Sequence, residues 1–180
     1  MESKIYIVPV GEIEEWILDT LENHLGKTFN CEVKIGKGIR LPQEAYNSRR
    51  NQYFSSFILN KLHQVMKPSQ GEKILFISDV DLYVEGLNFV FGEAELGGHL
   101  AIISLARLGQ SFYGIPEDKT LFLERAKKEA IHELGHTFGL RHCPDPLCVM
   151  HFSNILMDTD RKRASFCSRC QELLEKSMAR

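Results

Sequence analysis

The 180-residue sequence predicts an α+β fold, with helices packed on a sheet in an α/β-like order. Strand-like and helix-like periodicities alternate as β-α-β-α-β through residue 80. Two further strand-like runs then meet at Gly97-Gly98, and a long amphipathic helix follows.

"KIYIVPV" (4–10) has the continuous apolar character of a buried strand. In the next segment Ile13, Trp16, Ile17, Leu21 and Leu25 fall on one helical face. "TFNCEVKI" (28–35) alternates as a second strand, which makes Cys31 a small buried packing residue. After the loop "GIRLPQEAYNSRR", Phe54, Phe57, Ile58, Leu62 and Val65 mark a second amphipathic helix, and "KILFISDV" (73–80) is a third strand. "LNFVFGEAELGGHLAIISLARL" (87–108) holds two more, near 88–92 and 99–106, as an antiparallel pair. Pro116 and the acids after it open the long helix, whose buried face is Leu123, Ala126, Ala130, Leu134 and Phe138. Gly139 ends it. Beyond lies only a short helix near 168–178. The length suits one domain, with the sheet and long helix in 1–139 and a small subdomain in 140–180.

Hydrophobic residues at 43% and charged residues at 26% are ordinary for a globular chain, so composition does not suggest disorder. A net charge of −2 without a basic run gives no electrostatic case for nucleic acid. The apolar stretches are strand-sized, so no membrane span is expected. Acids interrupt "MESKIYIVPVGEIEEW" before a signal-peptide core can form, and a cytoplasmic location is expected. Four of the five cysteines, Cys143, Cys148, Cys167 and Cys170, crowd the C-terminal end, which in that setting reads as metal rather than disulfide.

The segment "HELGHTFGLRH" carries the chemistry. His132 and His136 lie one helical turn apart and reach one ion from one face. Glu133, between them, points beside the metal, where a base accepts a proton from zinc-bound water. Gly139 lets the chain turn, and His142 arrives as a third nitrogen ligand. Three protein ligands leave a position open for water or substrate, as at a catalytic zinc. The cysteine spacing, C-x4-C and then C-x2-C, fits a four-thiolate structural zinc, favoured over an iron–sulfur cluster. Adjacent side chains on extended backbone point in opposite directions, so His142 serves the cleft and Cys143 the tail.

The combined pattern H-E-x-x-H-x-x-G-x-x-H-C-x4-C-x-M…C-x2-C resembles the archaemetzincins, a compact family of metzincin zinc peptidases. The resemblance extends upstream through "LPQEAYNSRRNQY", "DVDLY", "NFVFGEAEL" and "SLARL". It implies a five-stranded twisted mixed sheet whose edge strand runs antiparallel above the active-site helix. It also implies two Zn2+ ions per chain. His132, His136 and His142 match the catalytic-zinc ligands, Glu133 the general base, the four cysteines the structural site and Met150 the Met-turn. In other metzincins the edge strand binds peptide by strand addition, and "NFVFGE" (88–93), with Asn88, Phe89, Val90 and Phe91, is the candidate for it. Phe152 occupies the position where some metzincins place a tyrosine ligand, which excludes a tyrosine switch there. His151 could assist at the cleft, and Tyr46 and Tyr53 could line it, but a solvated or packing role is favoured for His151 and a core-packing or surface role for the tyrosines.

These readings imply a zinc metallopeptidase acting on peptides or proteins, as an aminopeptidase or a small-peptide endopeptidase. The competing reading is a two-zinc peptide- or protein-binding module without turnover. A nucleic-acid-binding zinc ribbon is disfavoured by the modest basic patch of Arg161, Lys162, Arg163 and Arg169.

Overall fold

A computed structural model describes residues 3–179. The elements run β1 (Lys4–Val10), α1 (Glu15–Phe29), β2 (Glu32–Ile35), β3 (Tyr46–Asn47), β4 (Gln52–Phe54), α2 (Ser55–Met66), β5 (Glu72–Ser78), β6 (Leu82–Tyr83), β7 (Gly92–Ala94) and β8 (Leu100–Ser104). The remainder is helical: α3 (Lys119–Thr137), α4 (Leu156–Arg161) and α5 (Ser168–Met178).

Five strands form a mixed sheet in the order β2-β1-β5-β8-β7. The first four are mutually parallel, and β7 closes one edge antiparallel to β8. Alternation along the strands sorts the core into two layers. Ile5, Ile7, Leu75, Ile77, Ala101 and Ile103 meet α1 and α3 on one face. Val8, Val10, Ile74, Phe76, Leu100 and Ile102 meet α2 on the other. Burial on both faces explains why these strands read as apolar runs. The expected α+β fold is the one observed.

Several boundaries differ from the sequence reading. The "TFNCEVKI" strand begins only at Glu32, because buried Phe29 completes the Leu21–Leu25 stripe of α1 and Asn30 ends the helix in a left-handed cap (φ 47°). Cys31, in the cap, is half-buried against the core. In α2 the buried face is Ser55, Ile58, Leu59 and Leu62, while Phe57 and Val65 are exposed. The apolar residues of "SFILNKL" exceed what one face can bury. Leu123 is only half-buried, and α4 carried no recognisable periodicity at six residues.

The edge strand also shifts. It is Gly92–Ala94 rather than a run through 88–92. The preceding residues belong to the three-stranded sheet β3-β4-β6, where Val90 bridges Leu82. Three of the quoted motifs build this rim. Arg50, from "NSRR", donates to the carbonyl oxygens of Leu87 (3.0 Å) and Asn88 (2.9 Å). Asp81 of "DVDLY" holds Arg107 of "SLARL" through two bonds of 2.7 Å, which seats the guanidinium over Phe89.

Candidate active site

The long helix positions the site. Asp118 caps α3 by accepting from the Leu121 N–H at 3.0 Å, and Ala126, Ala130, Leu134 and Phe138 bury its inner face. At the far end Gly139 takes φ 86°, a conformation costly for any residue with a Cβ. The Leu140 N–H then bonds Gly135 O (3.0 Å), and the chain doubles back to bring in His142.

The three imidazoles converge, with their ligand atoms within 4.8 Å of one another. His132 Nδ1 bonds Val149 O (2.8 Å) and His136 Nδ1 bonds Leu140 O (2.7 Å). A carbonyl oxygen can only accept, so both protons sit on Nδ1 and both Nε2 atoms present lone pairs to the cleft. Those two nitrogens are 3.1 Å apart. Two lone pairs at that distance repel unless a cation lies between them. Tetrahedral zinc with ordinary Zn–N bonds sets its nitrogens about 3.3 Å apart, so the donor set fits the metal. Burial lowers the pKa of His136 and His142, and that of His132 far more, keeping the rings neutral as ligation requires.

Glu133 is 5% exposed, yet lines the cleft without a hydrogen-bond partner among the described residues. Burial, followed by the nearby charge of Glu129, pushes its pKa well above the usual carboxylate range, with Lys162 opposing. Gly92 of β7 passes directly over it. A methyl group there would lie 2.6 Å from Glu133 Cγ and 2.7 Å from both Glu133 Oε1 and Ile102 O. Beneath the helix, Gly135 makes the same allowance for Met150, whose Sδ would be 2.5 Å from an added methyl. Met150 is fully buried.

The four cysteine sulfurs also cluster within 4.8 Å. The Cys167 N–H points at Cys148 Sγ (3.4 Å), and the backbone N–H of Cys170 draws the Cys167 pKa down. Both contacts favour thiolate, the ligand form, while burial pushes the Cys148 and Cys170 thiols up. The Cys143 N–H bonds Met150 O (2.9 Å), which ties the cysteine cluster to the buried residue beneath the active-site helix.

The cleft measures ≈ 590 Å³ and is walled by Phe89, Phe91 and Leu96 on the edge-strand side and by Phe152 opposite. Of the candidate substrate residues, Phe89, Val90 and Phe91 line it. Asn88 does not; its carbonyl is held by Arg50 and Gln52. His151 bonds Cys143 O (2.8 Å), and the Tyr46 ring packs tilted against Tyr53 within the small sheet. None of these three is among the cleft's lining residues. Phe152 packs against the His142 ring at 5.1 Å between centroids.

Sequence reasoning missed two carboxylates. Glu129 sits one turn before Glu133, and its Oε1 accepts from Lys162 Nζ and Thr159 Oγ1, each at 3.0 Å. The spacing E-x-x-x-E in "KEAIHE" was the available signal. Glu93, next to Gly92, accepts from the Ser55 and Ser56 hydroxyls. No local pattern marks that contact, which spans 37 residues.

A metal ion reconciles the facing lone pairs of His132 and His136, and three nitrogen donors, with no fourth in the cluster among the described residues, leave that ion open to substrate. With the helix beneath an antiparallel edge strand, the protein is a zinc metallopeptidase of the metzincin type. The model for "Peptidase family M54" matches residues 1–176. The archaemetzincin of Pyrococcus abyssi is 44% identical over 185 residues, covering 100% of this chain and 98% of the relative. The crystal structure of archaemetzincin from Methanopyrus kandleri superposes with a TM-score of 0.86 at 42% identity, covering 99% of this chain and 97% of that one. The archaemetzincin from Archaeoglobus fulgidus, crystallised with malonate, gives 0.80 at 40% identity over 94% and 99% of the two chains. The chain belongs to peptidase family M54, among the archaemetzincins.

Proposed function

We propose that the protein hydrolyses peptide bonds with Glu133 as general base, His132, His136 and His142 holding a catalytic zinc, and Cys143, Cys148, Cys167 and Cys170 holding a second, structural one. Bound at the histidines, zinc supplies a Lewis acid that polarises a carbonyl and acidifies water. Glu133 takes the proton as water attacks the scissile carbonyl and passes it to the departing amine. A carboxyl whose pKa is raised by burial suits a group that must both accept and return a proton. The substrate backbone pairs with the open edge of β7, between Phe89 and Phe91 on one side and Phe152 on the other.

The observation that carries this reading is Glu133, buried, without a hydrogen-bond partner among the described residues and facing the cleft beside the three imidazoles. A module that only binds peptides has no use for that carboxylate. Glu133→Gln tests it: cleavage of any accepted peptide falls about 10²- to 10⁴-fold while zinc content stays unchanged. Cleavage at the wild-type rate would remove Glu133 from the mechanism.

A further inference from the structure

The register of the edge strand limits what the cleft can hold. Glu93 of β7 faces Ile102 of β8, flanked by Phe91, whose carbonyl accepts from Ser104 N–H (2.8 Å), and by Glu95, whose N–H donates to Leu100 O (2.9 Å). In an antiparallel pair that alternation turns the N–H and C=O groups of Gly92 and Ala94 away from β8, along the open edge. Upstream the edge closes. The Val90 N–H is spent on Leu82 O, and the Leu87 and Asn88 carbonyls are held by Arg50 and Gln52. Downstream the chain turns at Gly97, whose N–H bonds His136 O at 2.8 Å. An extended peptide therefore meets free backbone partners over three residues of β7, about 7 Å.

So short an edge gives little sequence selectivity, and end-group recognition matters correspondingly more. The Cβ direction of Gly92 points at Glu133, so the neighbouring Glu93 projects to the opposite sheet face, where α2 begins. There the hydroxyls of Ser55 and Ser56 each donate to one carboxylate oxygen, Ser56 at 2.7 Å, fixing its orientation at the lip of the cleft. Among the described residues no cationic side chain forms an ion pair with Glu93, whereas Glu129, deeper in the same cleft, has Lys162. A cleft-lining carboxylate oriented by neutral hydroxyls and lacking a protein cation is suited to a cation that arrives with the ligand.

We propose that Glu93 is a subsite for a positively charged amine of the substrate, and that the short edge beside it favours the α-ammonium group of an extended peptide. A lysine or arginine side chain on the α2 face would offer the same chemistry. The inference rests on the peptidase reading, and its test separates the two.

The zinc-loaded protein is given random hexapeptide libraries with free or acetylated N-termini, each made with and without lysine and arginine, and cleavage is followed by mass spectrometry. Wild type cuts the free-amine sets at least about tenfold faster than the acetylated ones. Glu93→Gln erases that preference, bringing cleavage of the free-amine sets down to that of the acetylated ones, and retains full zinc content. A preference that follows lysine and arginine instead of acetylation assigns the subsite to a side chain. Equal loss on every library would overturn the proposal and leave Glu93 as an anchor for α2. If wild type cuts nothing, the peptidase reading fails, and calorimetry still decides the subsite. Zinc-loaded wild type should bind free tetraalanine more tightly than its acetylated form, with Glu93→Gln indifferent. Equal wild-type affinities would refute it.

Discussion

Gly92→Ala separates stability from catalysis at a single methyl group. The backbone at Gly92 lies outside the left-handed region, so alanine is conformationally acceptable, and reduced freedom of the unfolded chain alone would stabilise by about 0.4–1 kcal/mol. The methyl, however, lands 2.6 Å from Glu133 Cγ and 2.7 Å from Ile102 O, about 1 Å closer than carbon atoms normally pack. One obstacle is the backbone of β8 and cannot rotate away, so either β7 lifts or Glu133 moves. Overpacking of this kind costs about 1–3 kcal/mol, for a net loss of roughly 0–2.5 kcal/mol after the entropic gain. At about 2–4 °C per kcal/mol for a chain of this size, Tm falls by no more than roughly 10 °C. Catalysis suffers more, because displacing a reacting group by about 1 Å costs on the order of a hundredfold. The assay pairs a thermal melt and zinc analysis with kcat/KM on a peptide that wild type cleaves. Full activity with a raised Tm would show that β7 does not press on Glu133, and the account of that carboxylate would fail.

Other consequences follow from the buried charges and the cysteines. Lys162→Met leaves Glu129 buried without its cation, at a cost of about 3–5 kcal/mol, and adding Glu129→Gln should restore much of it in denaturant melts. A loss below about 1 kcal/mol would mean the pair is solvated. Metal analysis should find two zincs per chain. Cys167→Ser should lose one of them and melt α5, whereas His142→Ala should weaken the other and spare the fold; a single zinc lost in both variants would contradict the division. Burial pushes the Cys31 thiol up to about 11. In the zinc-loaded protein, iodoacetamide at neutral pH should therefore alkylate it roughly a hundredfold more slowly than a free thiol, with the rate climbing as pH rises. Rapid labelling at pH 7 would show an open, ionised site.

The parts legible in the sequence are those whose physics is local. One helical turn between His132 and His136, the turn allowed by Gly139 and the spacing of the four cysteines are short-range geometry, and the structure gathers the residues accordingly. Apolar runs marked β1, β5 and β8 because both faces of those strands are buried. Legibility failed where one segment could satisfy its backbone in two ways. The segment "NFVF" is the edge-strand candidate implied by the family resemblance, yet Arg50 and Gln52, 38 and 36 residues upstream, claim the Asn88 carbonyl, Leu82 takes the Val90 N–H, and the edge moves to Gly92. The buried face of α2 likewise depended on which side the sheet lay.

The sequence by itself determined the reaction class, because ligand type and spacing within one helix and one turn need no partner from elsewhere in the chain. Tertiary structure alone decided how that chemistry is confined. It set Gly92 over Glu133, Lys162 against Glu129 and the serines of α2 behind Glu93. Each of those contacts joins elements distant in the chain, and only the packing of sheet against helices brings them within reach.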